Sequence, residues 1–247
     1  MKQGLLSFAI QRAGGFLFPQ ICIVCKKPAL GPALHSWLCN DCIASVKYNL
    51  LYRAVNACPY CSLNKKLKAC TCDIVWAEPF ESSFSLFDFD TQIATIIHEF
   101  KYSGFKNLAY VMGQSFSSEV PDSFFHDMDL MIPVPLHFFK TVKRGYNQAE
   151  FFAKGIAAGK PSGIPICINV LKRKKNTKSQ TTLSRKKRLR NMANAFFIPL
   201  SKQDCVKNKN IILIDDVVTT GATTKQCVEV LKKAGANRIK ILSLARD

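Results

Sequence analysis

The stretch Ile211-Ile-Leu-Ile-Asp-Asp-Val-Val-Thr-Thr-Gly-Ala-Thr223 constrains the fold of this chain more than any other. An apolar run, Ile211 to Ile214, ends in two adjacent acids. Small and hydroxyl residues with one glycine follow, and the pattern from Thr223 to Lys233 predicts a helix that stops at Gly235. Physically this is a buried strand whose carboxyl end opens into a loop and then a helix N-terminus. Open α/β sheets bind ligands at that end, and the free N–H groups and dipole of a helix N-terminus favour an anion. Thr219, Thr220 and Thr223 add hydroxyls, Gly221 lets the backbone come close, and Val217, Val218 and Ala222 complete the loop. Such a loop suits a phosphate, while Asp215 and Asp216 suit the hydroxyls of an attached sugar. An Asp that merely caps the next helix is the plainer alternative, and the attached Thr-Thr-Gly-Ala-Thr argues against it. The Gly-Lys-Ser/Thr of a Walker A loop is missing.

The segments upstream fit the same architecture. Ser83 to Phe89 alternates as a strand, and Ile93, Ile96, Ile97 and Phe100 lie on one helical face. Leu108, Val111, Met112 and Ser115 mark a second helix. Strands are expected at 130–135, 166–171, 195–198 and 238–244, with a helix over 148–158. Strands alternating with helices predict an α/β fold with a mostly parallel sheet. After Ile132-Pro-Val-Pro-Leu136 comes a second candidate ligand loop, Lys143-Arg-Gly-Tyr-Asn-Gln-Ala149. There Lys143 and Arg144 can clamp a pyrophosphate, and Gly145 permits backbone approach.

The composition changes near Trp76, which divides the chain into an N-terminal part, 1–75, and the α/β part, 76–247. Eight of the 11 cysteines fall in the first part as close pairs: Cys22/Cys25, Cys39/Cys42, Cys58/Cys61 and Cys70/Cys72. No secretory signal is read, so a cytoplasmic chain is expected, where close cysteine pairs bind metal more often than they form disulfides. Two Cys-x-x-Cys pairs around one Zn²⁺ form the usual structural site. The second set ends in a tighter Cys-x-Cys, and cross-braced pairing stays open. A structural metal is expected here because 21–73 is poor in large apolar residues and is read as short loops. Cys167, Cys205 and Cys227 read as packing residues. An apolar segment, Leu5 to Phe18, reads as an amphipathic helix and is too short and interrupted to span a membrane.

The formal net charge is +18, which favours polyanionic partners and says nothing of fold. No Asp or Glu occurs between Phe151 and Gln203, while Lys172, Arg173, Lys174, Lys175, Lys178, Arg185, Lys186, Lys187, Arg188 and Arg190 are clustered. Three readings stand: a solvated run, a loop closing over a bound phosphate, and a nucleic-acid surface working through phosphate contacts. For the last, Lys172 to Lys175 and Arg185 to Arg188 are the candidates. Aromatic residues do not interleave them, so weak sequence preference is expected.

These features together resemble the ComF family, bacterial proteins of natural competence and DNA utilisation with a type I phosphoribosyltransferase-like domain. The resemblance runs nearly end to end. It rests on the cysteine pairs, His98-Glu-Phe-Lys-Tyr102, Pro133-Val-Pro135, Arg144-Gly-Tyr-Asn-Gln-Ala149, the spacing Thr177, Gln180, Leu183, Arg188, Asn191, Ala195-Phe196, and Ile214 to Thr223. The last two-thirds is also similar to the catalytic half of amidophosphoribosyltransferases, but no glutaminase part is read, so glutamine-dependent purine synthesis is not expected. The resemblance implies that Asp215 and Asp216 hold the ribose hydroxyls of phosphoribosyl pyrophosphate, taken up with Mg²⁺, and that 217–223 holds its 5′-phosphate. It further implies a role with incoming single-stranded DNA in natural transformation, beside a helicase or DNA-processing protein of the competence machinery. Two alternatives stay open: a nucleotide-salvage transferase unrelated to DNA, and a binding module that keeps the site as a sensor. No segment reads as a nucleobase-recognising hood, which leaves acceptor and turnover open.

Overall fold

The computed structural model describes residues 20–58, 62, 64–65, 80–136, 142, 144–174 and 195–247. The expected N-terminal helix, Cys61, Cys70, Cys72, the boundary near Trp76, Lys143, Lys175 and Arg185 to Arg188 lie outside those residues. In chain order the elements are α1 (Asn40–Asn56), β1 (Ser82–Asp88), α2 (Thr91–Tyr102), α3 (Lys106–Phe116) and the short α4 (Asp122–Phe125). They continue with β2 (Leu130–Pro133), α5 (Gln148–Gly159), β3 (Lys172–Arg173), β4 (Phe196–Phe197), β5 (Ile211–Val218), α6 (Ala222–Lys233) and β6 (Ile239–Arg246).

Four strands form one parallel sheet in the order β1-β6-β5-β2. The two central strands, β5 and β6, are buried along almost their whole length, as expected for a parallel sheet covered on both sides. Ile212, Ile214, Leu242 and Leu244 face the cluster that contains α2, α3 and α5. Leu213, Ile239 and Ile241 face the opposite cluster, with Cys227, Val228 and Leu231 of α6. The expected fold class is therefore present: an α/β, mostly parallel sheet with clustered cysteines before it.

Helix positions follow side-chain chemistry. Asp90 accepts a hydrogen bond from Ile93 N at 2.7 Å and starts α2, which buries Ile93, Ile96, Ile97 and Phe100. Helices α3 and α5 touch backbone to backbone, because a Cβ on Gly155 would collide with the Tyr110 carbonyl oxygen.

Four expectations need correction. The strand expected at 166–171 does not form. Ile166 makes one bridge to Met131, and the chain turns at Asn169 (φ 63°), a left-handed conformation that Asn adopts more readily than most residues. Strand β5 does not stop at Ile214 but continues through both aspartates to Val218, because β6 offers partners up to Arg246. Cys205 is exposed and is not a packing residue. The cysteine-rich part also contains a 17-residue helix, α1, where short loops were expected. It buries Ile43, Val46 and Leu50 in the same core as Leu86 and Phe87 of β1. Buried Arg53 of α1 reaches across to Ser85 O at 2.7 Å, pairs with Asp88 and donates to Ser62. Among the described residues, no helix is long and apolar enough to cross a membrane.

Candidate functional site

The carboxyl end of β5 delivers two carboxylates with opposite surroundings. Asp215 is buried, and its Oδ1 accepts from Asp216 N at 2.9 Å. Burial pushes its carboxyl well above the usual range. The charge of Asp216 adds to that rise, while the Asp216 N–H and the Lys101 charge oppose it. Asp216 is more open and pairs with Lys101 Nζ at 2.8 Å. The Asp216 Oδ1 accepts from Val217 N at 2.8 Å.

Beyond Val218 the chain turns through Thr219 and Thr220 into Gly221, whose left-handed backbone (φ 74°) caps α6. Thr224 Oγ1 donates to Gly221 O at 2.9 Å. Arg246, at the end of β6, donates to Val218 O at 3.1 Å and to Thr219 O, which anchors the loop to the sheet. Residues 217–224 and Asp215 enclose a cup of about 40 Å³. The geometry presents a helix N-terminus and threonine hydroxyls beside two acids, a setting for an anion joined to a polyol.

The cup opens beside a second cavity of about 210 Å³. Asp215, Asp216, Val217 and Thr223 line one side, and Arg144, Asn147 and Gln148 another, with Lys101, Tyr102 and Arg173. Arg144 lies over the Tyr102 ring at 4.9 Å and donates to Gln148 Oε1 at 3.2 Å. Asn147 caps α5 and donates to Val134 O at 3.0 Å, fastening this loop to the end of β2. Gly145 (φ 76°) instead lines an adjoining cavity of about 380 Å³, with Tyr146, Glu150, Asn169 and Lys172.

The structure thus brings Arg144 to the aspartates and leaves Gly145 one cavity away. Arg173, expected on a nucleic-acid surface, lines the cavity with the acids, its guanidinium 5.2 Å from the Phe196 ring centre. Lys172 faces the adjoining cavity, and Lys174 is exposed. Lys101, Tyr102 and Gln148 carried no expected role. The only hint in the sequence was their place in the two quoted motifs at 98–102 and 144–149.

A separate cluster joins Cys22, Cys25, Cys39 and Cys42, whose sulfurs all lie within 4.8 Å of one another and could hold a metal ion. A tetrahedron of thiolates at Zn–S distances would need about 3.8 Å between sulfurs, so the set fits with small adjustment. The first and second pairs meet, so the first does not cross-brace to the third. Cys22 and Cys25 flank a turn closed by Lys26 N to Cys22 O at 3.0 Å. Cys39 caps α1 and Cys42 sits in its first turn, where the helix dipole favours thiolate. Burial raises the Cys22 thiol, but backbone N–H groups of Cys25, Cys39 and Val24 outweigh it and hold it down to about 6. Burial and the neighbouring thiols push Cys42 up. Of the second set, Cys58 alone lies within the described residues, and it is buried.

Comparison with known proteins agrees with this geometry. The phosphoribosyl transferase domain family matches residues 111–247. Competence protein F of Haemophilus influenzae is 38% identical over 118 residues, which is 48% of this chain and 50% of that protein. The DNA utilization protein YhgH of Salmonella typhimurium is 26% identical over 92% of this chain and 97% of its own length. A solved structure, the allosteric regulatory enzyme of purine biosynthesis, matches 59% of this chain and 29% of its own at 18% identity, with a TM-score of 0.40. The chain belongs to the phosphoribosyl transferase domain family and, within it, to the ComF family.

Proposed function

We propose that this chain binds phosphoribosyl pyrophosphate and handles single-stranded DNA during natural transformation, with zinc in its cysteine cluster. One observation carries the ligand: Asp215 and Asp216 lead directly into the cup at 217–224, beside a cavity lined by Lys101, Arg144 and Arg173. In this reading the aspartates hold the ribose hydroxyls, the cup takes the 5′-phosphate, and the cations face the pyrophosphate. Magnesium bound with the ligand would supply further charge neutralisation on the pyrophosphate. If the bond at C1′ breaks, negative charge grows on the leaving pyrophosphate, and Arg144, with Lys143 beside it in sequence, offsets that charge. Calorimetry with phosphoribosyl pyrophosphate, followed by a pyrophosphate-release assay across nucleobases and amines, tests this. Binding with release identifies a transferase, binding without release a sensor, and no binding removes the site.

The DNA role is supported by the names of the relatives, the charge of +18 and the acid-free stretch from Phe151 to Gln203. Such a surface acts in the cytoplasm, where an incoming strand meets helicases and other DNA-processing proteins. Replacing Arg185, Lys186, Lys187 and Arg188 by Ala is expected to flatten the logarithmic salt dependence of single-strand binding by up to about 3, at about 0.7 per phosphate contact. An unchanged slope excludes these residues. A deletion strain that takes up DNA normally but fails to transform fits the role, and normal transformation contradicts it.

A further inference from the structure

Two side chains that line the cavity beside the aspartates, Gln148 and Arg173, each carry a buried nitrogen without a partner, and Gln148 is the more deeply buried of the two. Gln148, the first residue of α5, is fully buried, yet its Nε2 has no hydrogen-bond partner. Its Oε1 accepts from Arg144 Nη1 at 3.2 Å. Turning the amide over would set N–H against guanidinium, so Arg144 fixes which way it points. The Tyr146 phenol stands close by, and Gln148 offsets part of the rise that burial imposes on it. That hydroxyl already donates to Phe100 O, and a primary amide has two N–H groups, so at least one remains even beside the phenol. Protein interiors pair nearly all buried polar atoms, so a buried donor facing a cavity marks the place of a ligand acceptor.

Position decides which part of the ligand that acceptor belongs to. Gln148 lines the larger cavity with Arg144 and is not among the residues of the phosphate cup at 217–224. The ribose-facing acids sit on the opposite element, β5. Resting on the phosphoribosyl pyrophosphate reading above, we propose that Gln148 recognises the pyrophosphate end: its free N–H donates to a non-bridging oxygen while its Oε1 holds Arg144 for the same group. Gln148 is then a specificity-determining residue that separates a 1-pyrophosphate from a 1-hydroxyl.

The test is calorimetry of the full chain and two variants, Q148M and Q148E, with Mg²⁺ and three probes: phosphoribosyl pyrophosphate, inorganic pyrophosphate and ribose 5-phosphate. Q148M keeps side-chain length and removes the donor. It is expected to weaken both pyrophosphate compounds about ten- to a hundred-fold, the scale for a hydrogen bond to a charged group, and to leave ribose 5-phosphate within about two-fold. Q148E keeps the shape and the Arg144 partner but turns the free donor into an acceptor, and it is expected to lose at least as much. If Q148M does not fold, Q148E decides. Wild-type affinity for pyrophosphate in the folded variant overturns the assignment, as does an equal loss for all three probes. Wild-type chain that binds none of the three overturns the underlying site reading instead.

Discussion

Lys101 Nζ lies 2.8 Å from Asp216 Oδ2, an ion pair that joins the end of α2 to β5 in the lining of one cavity. Both side chains are largely shielded. Losing Lys101 removes the ion-pair partner of Asp216 and leaves its charge beside Asp215. K101M is therefore expected to weaken phosphoribosyl pyrophosphate about ten-fold or more, the scale for a lost charge-assisted bond. Calorimetry checks it, and unchanged affinity removes Lys101 from the site.

Asp215 carries a pH signature. Its folded-state pKa lies well above the ordinary carboxylate value of 3.8, chiefly through burial and next through Asp216. The native state therefore binds more protons than the unfolded chain above that value, and stability falls as pH rises from about 4 to the raised pKa. D215N removes the titrating group. Its melting temperature is expected to exceed that of the wild type near pH 8, with the gap closing as the pH falls. A gap that widens toward low pH has the wrong sign and refutes the account.

The strand, loop and helix at 211–233 and the parallel sheet were legible because their signals are local. An apolar run ending in Asp215-Asp216, with Gly221 four residues after Val217, admits few other backbones. Lys101 and Gln148 were not legible as neighbours of Asp215. Each lies over 60 residues from Asp215, and only the packing of α2 and α5 on the sheet brings them to it. Helix α1 was missed for another reason. Its buried Ile43, Val46 and Leu50 keep helical spacing, but Tyr48, Leu51 and Tyr52 are exposed and blur the apolar face in the sequence.

That packing sets what metal removal does. The cysteine cluster and the sheet share one core, with Cys22, Cys39 and Cys42 in the same apolar cluster as Leu86 and Phe87. Chelation is expected to lower the melting temperature of the whole chain in one transition, by about 5 °C or more, rather than melt a separate unit first. Differential scanning calorimetry with and without chelator distinguishes the two. Zinc analysis is expected to find at least one ion per chain in reduced protein, and a lower value rejects the metal.

Arg53 is a buried polar tie between the same two parts. It donates to Ser85 O at 2.7 Å and pairs with Asp88, whose Oδ2 also accepts from Asn64 at 2.6 Å. R53M strands a buried carboxylate and is expected to cost about 3–5 kcal/mol in urea unfolding, with part of the loss recovered in R53M/D88N. A loss below 1 kcal/mol would show that the pair contributes little.

Two glycines allow the phosphate cup to be tested with backbone strain held constant. Gly221 and Gly145 have nearly the same left-handed backbone, φ 74° and 76°. An alanine at either must adopt that conformation, at a cost of about 1–2 kcal/mol, and a Cβ on Gly145 meets nothing within 4 Å. Gly145 is exposed, so G145A reports the backbone cost alone, whereas Gly221 is buried and G221A should lower stability at least as much. They differ in place: Gly221 lines the cup at the start of α6, while Gly145 lines the adjoining cavity. Only G221A should weaken ribose 5-phosphate, by about ten-fold, because in the proposed site Gly221 is where the backbone meets the 5′-phosphate. Equal affinities in the two variants would place the 5′-phosphate elsewhere.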